Sequence, residues 1–207
     1  DTAVQIATEN IDRLHTTAES HDRVIVVEIM GRHTGWITIM AGIAGGADVI
    51  LIPEYDISVE ETCDIIRRRQ SGDKSFSIVA VSEGAKLVTR EGEEQMVTQS
   101  DEVDAFGNVK LGGVASLLAK EIERRTGFET RATVLGHIQR GGTPTAHDRI
   151  LATRYGAKAA EMVQNEEFGL MAALQGDAIV AVPLEVAVGE RKVVRQEFWD
   201  LAQTFFA

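Results

Sequence analysis

One junction, met three times, narrows the fold of this chain more than any other feature. It is an apolar run of strand length, then a glycine with polar neighbours, then the chain's continuation toward a helix. Val24–Ile29, V-I-V-V-E-I, is a β-branched run of the kind that parallel sheets bury. It leads into Met30-Gly31-Arg32-His33-Thr34-Gly35 and an apolar helical stretch, Trp36–Ala44, stopped by Gly45-Gly46. Phe76–Ser82 is a second such run and ends in Glu83-Gly84. Arg131–Leu135 is the third and ends in Gly136, with His137 and Arg140 on the loop that follows. Gly141-Gly142 lets the backbone turn again, and Thr143-Pro144 reads as the cap and first turn of a helix reaching about Val163.

Further elements fit the same alternation. Val49–Pro53 and Asp177–Pro183 read as strands. Ala3, Ala7, Ile11 and Leu14 fall on one face of an N-terminal helix, and Val114, Leu117, Leu118 and Ile122 on one face of another that ends at Gly127. Ser58 and Glu61 form a capping box opening a helix to about Gln70. Phe198, Leu201, Ala202 and Phe205 form the stripe of a terminal helix. Residues 86–108 are polar and acidic and read as a surface insertion, a hairpin or a loop. Alternating strand and helix with apolar strands predicts an α/β fold: a doubly wound, mostly parallel sheet with helices on both faces.

Composition removes several function classes. The formal net charge of −11 disfavours nucleic acid or an anionic membrane surface as partner. An anionic ligand must therefore be attracted locally, against the field of the whole chain. The single cysteine, Cys63, excludes an intrachain disulfide and a cysteine-based zinc site, and suits a reducing, cytoplasmic setting. No apolar run is long enough to span a membrane. His15 and His21 have no accompanying carboxylate or cysteine cluster and read as solvated side chains rather than metal ligands. The chain starts at Asp1 directly in a helical pattern, which reads as a piece of a longer polypeptide.

The candidate site is the set of strand ends, because open α/β sheets bind ligands there. Arg32 and Arg140 offer bidentate, charge-assisted hydrogen bonds, and with His137 and bare loop N–H groups they suit a phosphate. Glu83 suits sugar hydroxyls as an acceptor, or equally a salt bridge within the same cleft. Arg67, Arg68 and Arg69 sit in the last turn of their helix, where the helix dipole explains them better than a phosphate does. No Walker-type phosphate loop or kinase glycine-rich loop is present. The residues by themselves describe a phosphosugar-binding half-site.

Three stretches carry a resemblance. V-V-E-I-M-G-R-H-T-G-W, A-G-G-A-D-V-I-L-I-P-E and T-V-L-G-H-I-Q-R-G-G-T-P-T-A-H-D-R-I-L-A-T-R closely resemble the 6-phosphofructokinases of bacterial type, from Asp1 to about Val163 and more weakly to the end. The resemblance implies a C-terminal portion holding the fructose 6-phosphate domain, over 1–140 and 190–207, with 141–189 as part of the phosphoryl-donor side. It implies that Met30, Gly31 and Arg32 contact the sugar phosphate and that Arg32 also steadies charge on the transferring phosphoryl group, the one catalytic role among these residues. It implies that Glu83 holds the sugar hydroxyls and that His137 and Arg140 bind the sugar phosphate. Arg23 and Arg131 match the arginines that reach the 6-phosphate of a neighbouring subunit, so a homo-oligomer, tetramer or dimer, is expected.

Departures from the family pattern qualify this. The glycine-rich donor loop G-G-D-G-S/T and the T-I-D-N-D stretch with its catalytic aspartate are not in these 207 residues. The whole enzyme is expected to use ATP and Mg²⁺, but no metal ligands are visible here, and this chain alone is expected not to turn over. Trp36 and the 86–108 insertion look more like the branch that includes pyrophosphate-using enzymes. Of the basic run that serves the effector site in short bacterial members, only Lys74 remains, in Ser71-Gly72-Asp73-Lys74-Ser75-Phe76. ATP is the expected donor and pyrophosphate the alternative, with a non-catalytic sugar-phosphate-binding module as the rival of another class.

Overall fold

The computed structural model of the chain describes residues 1–206 apart from 57, 73, 89–93, 97, 104–108 and 112. In order the elements are α1 (Thr2–Ser20), β1 (Val24–Ile29), α2 (Trp36–Ala44), β2 (Val49–Leu51), α3 (Val59–Ser71) and β3 (Ser77–Ser82). Four short strands follow: β4 (Lys86–Val88), β5 (Glu94–Met96), β6 (Thr98–Val103) and β7 (Val109–Leu111). Then come α4 (Val114–Thr126), β8 (Thr130–Val134), a 3₁₀ turn at Gly136–Arg140, α5 (Ala146–Gln164), β9 (Leu170–Gln175), β10 (Ala178–Pro183), α6 (Leu184–Gly189) and α7 (Gln196–Gln203).

The chain divides into two compact units. The larger comprises Ala3–Gly141 and Val193–Ala207; the smaller comprises Asp1–Thr2 and Gly142–Lys192. The larger unit is built on a four-stranded sheet in the order β2-β3-β1-β8, parallel throughout. Every residue of β1 and β3 is buried, and alternate residues feed opposite faces. Ile25, Val27 and Ile29 pack with Ile11 of α1, Ile39 of α2 and Trp199 of α7. Val24 and Val26 pack on the other face with Ile66 of α3 and with Leu118 and Ile122 of α4. This is the doubly wound parallel sheet with helices on both faces that the apolar strands imply.

Local chemistry explains where the helices start and stop. Ser58 accepts from the Glu61 N–H while Glu61 accepts from the Ser58 N–H, the reciprocal box expected from the sequence. Gly127 ends α4 in the left-handed region, at φ 77°. Arg69 turns from the end of α3 to pair with Asp48 at 2.6 Å, so a specific ion pair joins the helix dipole in accounting for this arginine. Asp48 also accepts the Ile78 N–H at 2.8 Å. Burial raises its carboxyl above the ordinary range, against the pull of the Ile78 hydrogen bond and Arg69.

Several sequence expectations need correcting. The second strand stops at Leu51; Ile52 instead makes an isolated bridge to Tyr55, because Pro53 cannot continue a ladder. Residues 178–183 do not join the parallel sheet. They pair antiparallel with β9 in the smaller unit, a hairpin partner whose apolar run L-M-A-A-L-Q has no alternation to mark it. The helix expected from Pro144 is capped two residues later, by Thr145, whose side chain accepts the Asp148 N–H. The 86–108 stretch contributes an antiparallel pair, β4 with β5, and a strand, β6, that pairs antiparallel with β7 just beyond it, and it is not wholly superficial: Leu87 is buried in the second core. In α7 the buried residues are Trp199 and Ala202, while Leu201, and Phe205 just past the helix end, are exposed. Trp199 turns inward because its ring stacks on Tyr55 at 4.6 Å. His15 is not solvated: its Nε2 shares a hydrogen bond with the Gly45 carbonyl at 2.7 Å and its ring meets Phe76 edge-on.

Removing one partner of the Asp48–Arg69 pair leaves a guanidinium and a strand N–H without their acceptor. Asp48→Ala is expected to cost about 3 kcal/mol of stability, read as a lowered midpoint in chemical denaturation, whereas the exposed Asp64–Arg67 pair should yield less than about 1 kcal/mol.

Candidate functional site

Three adjacent strands, β3, β1 and β8, deliver their carboxyl ends to one edge of the sheet. The chain leaves β1 toward α2 on one face and leaves β3 toward α4 on the other, so a crevice opens between the two exits. Two backbone hydrogen bonds bind these exits together. The Glu83 N–H donates to the Ile29 carbonyl at 2.9 Å, and the Gly84 N–H donates to the Gly31 carbonyl at 3.0 Å. The approach is so close that a Cβ on Gly84 would lie 2.0 Å from the Arg32 carbonyl oxygen. A Cβ on Gly31 would lie 2.8 Å from the Thr34 carbonyl oxygen and 2.9 Å from Ser82 Oγ. Ser82 Oγ is itself fixed by a buried 2.6 Å hydrogen bond with Thr38 Oγ1.

The third exit is the 3₁₀ turn. Gly136 adopts φ 50°, a left-handed conformation that lets the chain fold back immediately after the strand. His137 and Arg140 stand exposed on this turn. Between the exits is a cleft of about 150 Å³, lined by Glu28, Ile29, Met30, Glu83, Gly136 and His137 among others. The sequence-predicted residues Met30, Gly31, Arg32, Glu83, His137 and Arg140 are thus carried on the three neighbouring exits.

Glu83 sets the electrostatics of the cleft. Burial raises its carboxyl above the ordinary glutamate range, and Glu28 pushes the same way. A hydrogen bond from the Gly31 backbone opposes the rise, as do the positive charges of Arg32 and Arg140. A half-buried carboxylate flanked by two guanidiniums offers hydroxyl acceptors beside anion donors, the pairing that a phosphorylated polyol would use.

Arg23 and Arg131 lie elsewhere. The pairing of Val24 with Thr130 puts both at the amino edge of the sheet, and Gly136 lies five residues beyond Arg131, roughly 16 Å if the chain stays extended. They share one carboxylate: Glu129 Oε1 is 3.0 Å from Arg23 and 2.5 Å from Arg131. The Arg23 hydrogen bond, more than Arg131, holds the Glu129 carboxyl below its ordinary range.

Two residues of the site were not singled out from the sequence. Glu28 interrupts the apolar β1 run, and its side chain is directed to the amino end of α4, accepting the Gly113 N–H at 3.3 Å and the Ala115 N–H at 3.0 Å. Gln139 is 1% exposed, although it sits between the exposed Ile138 and Arg140. An acid within a buried strand was a visible signal for Glu28; nothing local marks Gln139 as buried.

A larger groove of about 490 Å³ lies elsewhere, lined by Tyr55, Trp199 and Phe206 with Asp56, Glu61, Asp64 and Arg68. Its three carboxylates make it a poor host for an anion, and none of the strand-end residues reaches it. Among the described residues, no three His, Cys, Asp or Glu side chains gather in a way that would hold a metal ion. No described helix is long and apolar enough to cross a membrane.

A phosphofructokinase family model matches residues 1–163. The chain belongs to the phosphofructokinase family. It is 54% identical over 207 residues to the pyrophosphate–fructose 6-phosphate 1-phosphotransferase of Amycolatopsis mediterranei, and 50% identical over the same length to the ATP-dependent 6-phosphofructokinase of Mycobacterium leprae. The chain spans 59% of the length of each of these relatives. In structure it matches the phosphofructokinase of Saccharomyces cerevisiae with a TM-score of 0.72 at 33% identity, over 98% of this chain and 24% of that one. A pyrophosphate-dependent phosphofructokinase from Nitrosospira multiformis shares the fold, with a TM-score of 0.75 over all of this chain and 53% of its own.

Because folding raises the Glu83 carboxyl above its unfolded value, ionising it costs the native family member stability. That cost is absent below the unfolded value near 4.5 and complete above the folded one. Glu83→Gln should therefore melt higher than the parent at pH 7 and lose that advantage near pH 4, as scanning calorimetry at the two pH values would show. Gly84→Ala should melt well below the parent at both, since the Arg32 carbonyl occupies the space its methyl needs.

Proposed function

We propose that this chain forms the sugar-phosphate half of a 6-phosphofructokinase site, for transfer of a phosphoryl group to the 1-hydroxyl of fructose 6-phosphate. The observation that carries the reading is the convergence of Arg32, Glu83, His137 and Arg140 on the ends of three adjacent parallel strands. On this reading His137 and Arg140, with Met30 and Gly31, hold the sugar phosphate. Glu83 accepts hydrogen bonds from the sugar hydroxyls and so fixes the 1-hydroxyl toward the donor. Arg32 faces the reacting end, where its charge favours the transition state over the ground state as negative charge spreads over the phosphoryl oxygens.

In the transfer, the 1-hydroxyl oxygen forms a bond to the terminal phosphorus, the bond from that phosphorus to the leaving phosphate oxygen breaks, and the hydroxyl proton passes to a base. Neither the base nor a donor loop has a counterpart among these residues, so both are assigned to the part of the enzyme that this chain does not cover. Residues 142–192 are read as the portion contributing to the donor side. ATP with Mg²⁺ is the first reading for the donor. Pyrophosphate is the second, and relatives of that name reach 54 and 55% identity where ATP-dependent ones lie at 48 to 50%.

Arg23 and Arg131 are proposed to serve a neighbouring subunit's phosphate in a homo-oligomer. Their place at the edge opposite the cleft supports this, as does Arg23 Nε, which is buried without a hydrogen-bond partner among the described residues. Such an arrangement makes catalysis depend on assembly.

The test is a coupled assay of the full polypeptide with fructose 6-phosphate and either ATP or pyrophosphate, alongside titration of the 207-residue chain with the sugar phosphate. Turnover is expected only in the full polypeptide. Arg32→Ala and Glu83→Gln should each weaken the handling of fructose 6-phosphate by about tenfold or more, as the loss of a charged hydrogen bond implies. A full polypeptide in which both variants process fructose 6-phosphate like the parent would sink the assignment.

A further inference from the structure

Gln139 is almost completely buried on the third strand exit, and both ends of its amide are engaged. Its Oε1 accepts the Met30 N–H at 3.2 Å, and its Nε2 donates to the Gly136 carbonyl at 3.2 Å. The first bond reaches across 109 residues to the β1 exit, the second back to the start of its own turn. The neighbouring backbone link, from the Leu135 N–H to the Glu28 carbonyl at 3.1 Å, still belongs to the ends of the paired strands.

We propose that Gln139 is a positioning residue: its amide fixes the turn bearing His137 and Arg140 against the turn bearing Met30, Gly31 and Arg32. The inference rests on the reading of these turns as a sugar-phosphate site. The chemistry is specific to glutamine. The Met30 N–H requires an acceptor and the Gly136 carbonyl requires a donor, and one planar amide supplies both at a fixed separation. A carboxylate of the same length would set its oxygen against the Gly136 carbonyl. An apolar side chain would leave both backbone groups without their partner. Either change frees the His137–Arg140 turn to shift relative to Arg32, and a shift of about 1 Å in positioning groups can cost on the order of a hundredfold in rate.

The experiment measures steady-state kinetics and thermal melting on the full polypeptide for Gln139→Met, Gln139→Glu, Arg140→Ala, and each Gln139 variant combined with Arg140→Ala. Gln139→Met keeps the volume and is the variant expected to fold. Expected is a rise in KM for fructose 6-phosphate of about tenfold to a hundredfold, with KM for the phosphoryl donor unchanged. The decisive readout is coupling: once Arg140 is removed, a Gln139 change should add little further, because much of what it positions has gone. Fully additive effects, or a loss that follows melting temperature and raises both KM values alike, would overturn the proposal and leave Gln139 a structural residue. Arg32→Ala and Glu83→Gln serve as the separate control. If those two leave fructose 6-phosphate handling intact, the site reading itself fails; if they impair it while Gln139 and Arg140 act additively, only the positioning role falls.

Discussion

The candidate site depends on the close backbone contact between the exits of β1 and β3. The two strands lie side by side, and after each has ended its loop is hydrogen-bonded to the other for one more residue. Only glycine at 84 permits that, since the Arg32 carbonyl occupies the volume of its missing Cβ. The consequence is chemical. Arg32 and Glu83 come from elements separated by a helix, a strand and another helix, yet backbone groups, not side-chain rotamers, set how far apart they are carried. Preorganisation of this kind costs nothing at the moment of binding, because the entropy of ordering these loops was lost in folding.

The same logic extends outward through weaker ties. Ser82 and Thr38 close a buried hydroxyl pair beside Gly31, which couples the end of β3 to α2. Glu54 accepts the Gly35 N–H at 3.0 Å and the Val194 N–H at 3.1 Å, and so links the start of α2 to the segment leading into α7. Glu28 reaches to the opposite face and receives the N–H groups that begin α4. Each carboxylate is matched to backbone donors that a helix cannot satisfy by itself. Acidic residues that look like surplus negative charge in the composition thus act in part as internal connectors.

How much of this was legible in the sequence depends on the range of the interaction. Strands β1 and β3 could be read because burial on both faces demands continuous apolar runs, whereas the mostly exposed β8 was legible from β-branched Thr133 and Val134. Glu83, His137 and Arg140 could be placed because a strand's end follows from its run. The capping box at Ser58 was equally readable, being complete within four residues. What could not be read was decided by partners distant in the chain. Trp199 displaced the expected stripe of α7 because Tyr55 was waiting for it. His15 became half-buried because the Gly45 carbonyl lay within reach. The strand at 178–183 left the sheet because β9 offered a closer antiparallel partner. Gln139 belongs with these: its neighbours are exposed, and only Met30, 109 residues away, explains its burial.

The net charge of −11 sharpens the physical problem that the site must solve. A phosphate dianion approaching this chain meets a repulsive overall field, screened beyond a Debye length of about 8 Å at physiological salt. Recognition therefore has to be local, and on the proposed reading the strand exits would provide it by setting Arg32 and Arg140 beside the half-buried Glu83 carboxyl. Burial raises the Glu83 carboxyl above its ordinary range, against the opposing pull of Arg32 and Arg140. A ligand with a phosphate at one end and hydroxyls at the other satisfies both sets of groups, whereas a simple anion satisfies only the arginines and leaves Glu83 to compete for them. On the proposed reading, selectivity for a phosphorylated sugar over free phosphate would follow from the placement of one acid among bases, within a chain whose bulk charge repels both.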